Sequence, residues 1–132
     1  MTTTLADLKG TRLLLKKSQS EMAELLGVSV RAVQSYEQGW RKTPLKIQQI
    51  SALLLYLNWR KHGGRPRVCW RVRKCSPAQR ATCSAFQYKA GDLCWLLTGS
   101  SCSEDAPKTA ETKLAQCAQC DVVRPWWPAS AR

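Results

Sequence analysis

A chain of 132 residues and 14.8 kDa holds one ordinary domain or two small ones. It carries 21 lysine and arginine side chains against 9 aspartate and glutamate, and the resulting net charge of +12 points to a polyanionic partner. Hydrophobic residues at 44% suffice for packed cores and exclude wholesale disorder. The longest apolar stretch, Ile50 to Leu57, is broken by Ser51 and falls far short of the ~20 residues of a membrane span.

Asp7 and Lys9 interrupt the first residues where a secretory signal would need its apolar segment. The composition thus argues for a soluble cytoplasmic protein and against a membrane protein or a secreted precursor. Both halves are basic, with ten basic and four acidic residues over 1–62 and eleven and five over 63–132. All seven cysteines, by contrast, lie beyond residue 68. Between the halves, Arg60 to Lys74 holds seven basic residues and no acidic one, around a Gly63-Gly64-Arg65-Pro66 break that no helix can cross. This organisation gives a helical domain over 1–60, a basic linker over 61–68, a Cys-rich module over 69–123 and an apolar Pro/Trp tail over 124–132.

The first half reads as four helices. Thr4-x-x-Asp7 resembles a capping box and opens a helix running to about Lys16. Ser18-x-x-Glu21 is a full capping box; it opens a short helix with Met22, Leu25 and Leu26 at apolar spacing, ended by Gly27. Ser29 caps a third helix with Val33 and Tyr36 on its inner face, and Gly39 stops it. Thr43-Pro44 places a cap and a first-turn proline before a fourth helix, with Ile47, Ile50, Leu54 and Leu57 inward. Met22, Ala23, Leu26, Val28, Val33 and Tyr36 form the expected core.

Two short helices joined by Gly27-Val28-Ser29 make a helix-turn-helix, whose second helix has the width of a DNA major groove. The run from Ser18-Gln19-Ser20-Glu21 through Gly27-Val28-Ser29 to Tyr36-Glu37-Gln38-Gly39 closely resembles the Cro- and phage-repressor-type helix-turn-helix family, over about residues 5–60. That resemblance implies a mostly α fold and double-stranded DNA as partner. It assigns Gln19 to a backbone phosphate at the head of the second helix. Ser29, Val30, Arg31, Gln34 and Ser35 then belong to the DNA-facing side of the third, with Arg31 suited to guanine, Gln34 to adenine and Val30 to a thymine methyl. Trp40, Arg41 and Lys42 would grip phosphates, although Trp40 equally suits a lid on the core. Arg12 and Glu37 match positions of a structural ion pair. Thr11 and Lys17 stand where the family usually has leucine, which puts the packing of the first two helices in question.

The second half contains a partial internal echo. Cys69-Trp70 begins one arm, followed by Cys75 and Cys83; Cys94-Trp95 begins the other, followed by Cys102 and Cys117-x-x-Cys120. The pattern resembles a small bacterial cysteine-rich module with two Cys-Trp motifs. A reducing cytoplasm and an odd cysteine count disfavour a disulfide framework. Density this high points to metal binding by four or more of Cys69, Cys75, Cys83, Cys94, Cys102, Cys117 and Cys120. Only Cys117-x-x-Cys120 has the spacing usual for zinc, and an iron–sulfur cluster tolerates less regular spacing, so zinc and a cluster both stay open. His62, at a helix end, is a weak further ligand candidate. Trp70 and Trp95 suit either shielding of such a site or plain filling of a small core. Short helices are expected over Ser76 to Arg80 and Thr109 to Cys117, with a polar loop over 99–107 between them.

The combined expectation is a mostly α chain: a four- to five-helix repressor-type domain followed by a small irregular Cys-rich module with short helices. It would act as a sequence-specific, homodimeric DNA-binding regulator whose second half binds zinc or an iron–sulfur cluster for sensing or stability. The alternative is an antitoxin- or adaptor-like protein whose Cys-rich half binds a protein partner; the Trp126-Trp127 tail suits docking on a partner or on the module itself. One histidine, nine scattered carboxylates and no glycine-rich phosphate loop leave little to run catalysis.

Overall fold

A computed structural model describes residues 8–72, 74–97, 117 and 120–127. Every regular element among them is helical. The chain forms two compact units, one reaching to Gly63 and including Trp127, the other spanning Gly64–Trp126. No helix among the described residues is long and apolar enough to cross a membrane.

The first unit contains α1 (Leu8–Leu14), α2 (Gln19–Leu26), α3 (Val30–Gln38) and α4 (Leu45–Lys61). Ser18 caps α2 with a complete capping box: its hydroxyl accepts from Glu21 N at 3.1 Å and its own N–H donates to Glu21 Oε1 at 3.0 Å. Ser29 caps α3 by accepting from Ala32 N at 3.0 Å. Three helix ends share one device, a left-handed residue whose successor bonds back five positions. Gly27 (φ 69°) and Gly39 (φ 78°) supply it for α2 and α3, with Val28 N on Ala23 O and Trp40 N on Ser35 O. At the end of α1 a lysine, Lys16, takes the same left-handed role at φ 57°, and α1 therefore stops at Leu14, short of the expected Lys16. The Thr4 and Asp7 capping pair lies outside the described residues.

The core of this unit joins Leu8, Met22, Ala23, Leu26, Val33 and Ile47, with Leu15, Val28, Tyr36, Ile50 and Leu54 packed around it. Three expectations are corrected. Leu25 is 44% exposed, because Met22, Ala23 and Leu26 already complete the inner stripe of α2. Leu57 is likewise on the surface, whereas Ile47, Ile50 and Leu54 face the core as expected; α4 is also buried along Ser51 and Leu55 and along Gln48, Ala52 and Tyr56. Thr43 does not cap α4 either. Pro44 occupies the cap position without a side-chain bond, while Thr43 offers its carbonyl to Gln48 Nε2 at 3.0 Å. Thr11, which replaces a family leucine, is buried, and Lys17 accepts from Arg12 through its carbonyl.

The second unit is built of single turns: α5 (Cys69–Val72), α6 (Pro77–Thr82), α7 (Ser84–Gln87) and a 3-10 turn, Cys94–Leu96. Ser76 and Gln79 form a second capping box at α6, at the expected place. Both Cys-Trp pairs open a one-turn helix, and Cys69 N donates to Gly91 O at 3.0 Å, joining the two arms. Gly91 is required by this crossing: a Cβ there would lie 2.6 Å from Val68 Cγ1 and 2.8 Å from the Trp70 ring. Trp95 and Trp126 pack at 5.2 Å, each indole N–H satisfied by a carbonyl, of Asp92 and Val122 respectively. The expected helix over 109–117, the loop over 99–107 and Cys102 lie outside the described residues, apart from Cys117.

Candidate nucleic-acid interface and thiol cluster

Helix α3 divides cleanly between inside and outside. Ala32 and Val33 are buried and Tyr36 half-buried, while Val30, Arg31, Gln34 and Gln38 stand in solvent. Ser35 is half-buried, and its carbonyl is used by the turn that ends the helix. Ser29 spends its hydroxyl on the cap of α3.

The carboxylate of Glu37 is the one negative charge on α3, and it is neutralised within the fold. Arg12 reaches it from α1 as a fork, Nε to Oε2 at 2.8 Å and one terminal nitrogen to Oε1 at 3.1 Å, while the other holds the Lys17 carbonyl at 3.0 Å. This bond to Glu37 raises the pKa of Arg12 above its ordinary value. The ion pair expected from the sequence is thus in place, and the outward face of α3 is left with Arg31 alone charged.

Gln19, at the head of α2, is half-buried between two partners: it donates to Glu37 Oε1 at 3.3 Å and accepts from Gln34 Nε2 at 3.3 Å. Beyond α3, Trp40 is 76% exposed, which removes the reading of it as a lid on the core. Arg41 and Lys42 are exposed as well, and the Arg41 guanidinium sits 5.0 Å above the Tyr36 ring. Tyr36, read from the sequence only as core, therefore has a second role in fixing Arg41; an aromatic five residues before an arginine at a helix end was the available signal.

In the second unit the thiol of Cys94 hydrogen-bonds with those of Cys117 and Cys69, and these bonds together with burial push its pKa far up. All three are nearly fully buried. Cys120 is half-buried one turn after Cys117, its N–H on the Cys117 carbonyl at 2.9 Å. Cys83 is buried as well, and Cys75 is half-buried. Among the described residues, no group of three or more His, Cys, Asp or Glu side chains meets the geometry for holding a metal ion. His62 is exposed and turned onto its own helix, Nδ1 lying 2.8 Å from the Asn58 carbonyl.

No curated protein and no solved structure matches the chain. The family model described as helix-turn-helix matches residues 8–61, the stretch from α1 through α4, and none matches the Cys-rich half. Over residues 8–61, less than half of the chain, the protein is thus similar to that helix-turn-helix family, and the match supports a DNA-binding regulator in general terms.

Proposed function

We propose that this protein is a sequence-specific transcriptional regulator that lays α3 in the DNA major groove. One observation carries the reading: on a single helix, Ala32 and Val33 are buried while Val30, Arg31 and Gln34 are exposed beside a neutralised Glu37. Arg31 then reads a guanine edge, Gln34 an adenine and Val30 a thymine methyl. Gln19, Ser29 and Ser35 border that face, and Trp40, Arg41 and Lys42 hold the flanking phosphates. The basic run from Arg60 to Lys74 adds further phosphate contacts, so affinity falls steeply with salt.

Regulators of this kind read two half-sites as two-fold dimers. A homodimer is supported by the exposed Leu14, Leu25 and Leu57, which with Leu54 line a depression of about 540 Å³ in the first unit. Selection of duplexes from a random pool by the full chain tests the reading. It predicts one enriched motif with two-fold symmetry; a pool that stays random overturns it.

For the second unit, the donor chemistry supports a soft-metal site on Cys69, Cys94 and Cys117, with Cys120 the nearest further thiol in sequence. An iron–sulfur cluster would draw on the same sulfurs. Anaerobic purification with metal and sulfide analysis separates the cases. Brown protein with iron and sulfide indicates a cluster, colourless protein with zinc a structural site, and neither metal overturns the proposal.

A further inference from the structure

We propose that the second unit also carries a binding site for a small aromatic carboxylate, distinct in its residues from the thiol cluster. A cavity of about 520 Å³ is bounded by Trp70 and Phe86 on its aromatic side and by Arg80 and Lys89 on its cationic side. Its volume falls within the range of small-molecule sites, and its walls combine apolar surface with few polar groups, the composition such sites share.

Arg80 gives the cavity its specificity. The residue is half-buried, and its guanidinium lies 5.7 Å over the Phe86 ring. The paired N–H groups of a guanidinium match the two oxygens of a carboxylate. Asp92 is the one acidic residue among the lining side chains, so the two cations leave the rim positive and favour an anion. Trp70 and Phe86, edge to face at 5.0 Å, offer a ring-sized apolar wall. Gly91, whose missing side chain admits Val68 and Trp70 at contact distance, keeps that wall in place. An aromatic ring with one carboxylate meets all of these demands at once. A phosphate would leave the aromatic wall unused, and a neutral ring would leave Arg80 and Lys89 unmatched.

The test is calorimetric titration of the full chain with 2-naphthoate, and with 2-naphthylmethanol as the uncharged counterpart. Saturable one-site binding of the carboxylate is expected, with the alcohol weaker by about tenfold or more. Arg80→Gln should weaken 2-naphthoate by about tenfold or more and Arg80→Lys by less, since lysine keeps the charge but loses the fork. Ala81→Trp, which fills the cavity from its rim, should abolish binding while leaving the near-ultraviolet dichroism of Trp95 and Trp126 in place. No heat at millimolar 2-naphthoate, equal affinity for the alcohol, or unaltered binding in folded Arg80→Gln or Ala81→Trp protein each overturns the proposal.

Discussion

Gln34, on the outward face of α3, donates through Nε2 to Oε1 of Gln19 at 3.3 Å, and Gln19 is itself tied to Glu37. The side chain that the proposal assigns to a base edge is thus held by the head of α2. One amide N–H and the carbonyl of Gln34 remain, the donor and acceptor that an adenine edge requires.

Gln34→Ala is expected to cost about 1–3 kcal/mol on the cognate duplex and to relax preference at one base pair. Gln19→Ala should relax the same position by a smaller amount, because it frees the Gln34 rotamer without removing the amide. A double-mutant cycle by fluorescence anisotropy checks this: the two losses should be non-additive, and full additivity would show that the bond between them has no bearing on recognition.

The Arg12–Glu37 pair governs stability rather than contact. Glu37→Ala leaves a largely buried guanidinium without its carboxylate and should lower stability by about 1.5–3 kcal/mol, read from the denaturant midpoint. The paired change Arg12→Met with Glu37→Leu should recover most of that loss, since the cost lies in the orphaned charge. A single mutant as stable as the parent would contradict this account.

The capping box at α2 makes stability depend on acid. Hydrogen bonds from the Ser18 backbone N–H and with its hydroxyl hold the Glu21 carboxyl below its ordinary range. Because the folded pKa is the lower one, the contribution is full above the ordinary carboxylate pKa and disappears as pH falls through the folded value. Glu21→Gln keeps an acceptor for Ser18 N–H but does not titrate. Its thermal midpoint should therefore decline less steeply on the acid side than the parent's, and superimposable profiles would rule the effect out.

Gly91→Ala should lower the stability of the second unit by about 1–3 kcal/mol, since the new methyl must displace Val68 and the Trp70 ring beside the Cys69–Gly91 backbone bond. Tryptophan fluorescence during denaturant unfolding reads the change. A midpoint equal to the parent's would mean that the two Cys-Trp arms tolerate separation.

Local signals were the legible ones. Ser18, Ser29 and Ser76 announce their helices because capping chemistry acts within three residues. The Arg12–Glu37 pair, far apart in the chain, was legible only through resemblance to a family. On α4 the facing of Ile47, Ile50 and Leu54 was legible, but that of Leu57 was not, because the helix carries more than one apolar stripe and neighbouring elements decide how far each is covered. Trp40 was ambiguous because an aromatic after a helix stop serves either core or surface; its exposure follows from the left-handed turn at Gly39. The meeting of Cys69, Cys94 and Cys117 could not be read from spacing, since they come from well-separated positions in the chain. The helix carrying Arg80 and the importance of Trp70 were legible, but the cavity that these residues share with Phe86 was not, because it is formed by segments that periodicity does not bring together.

Methylation interference on a selected duplex tests the central proposal most directly, because one reagent marks guanine N7 in the major groove and adenine N3 in the minor groove. Groove insertion of α3 predicts that guanine N7 methylation blocks binding at discrete positions. One of these should lose its effect in Arg31→Ala protein and none should in Arg41→Ala. Interference confined to adenine N3, or a pattern that Arg31→Ala leaves unchanged, would contradict major-groove reading by this helix.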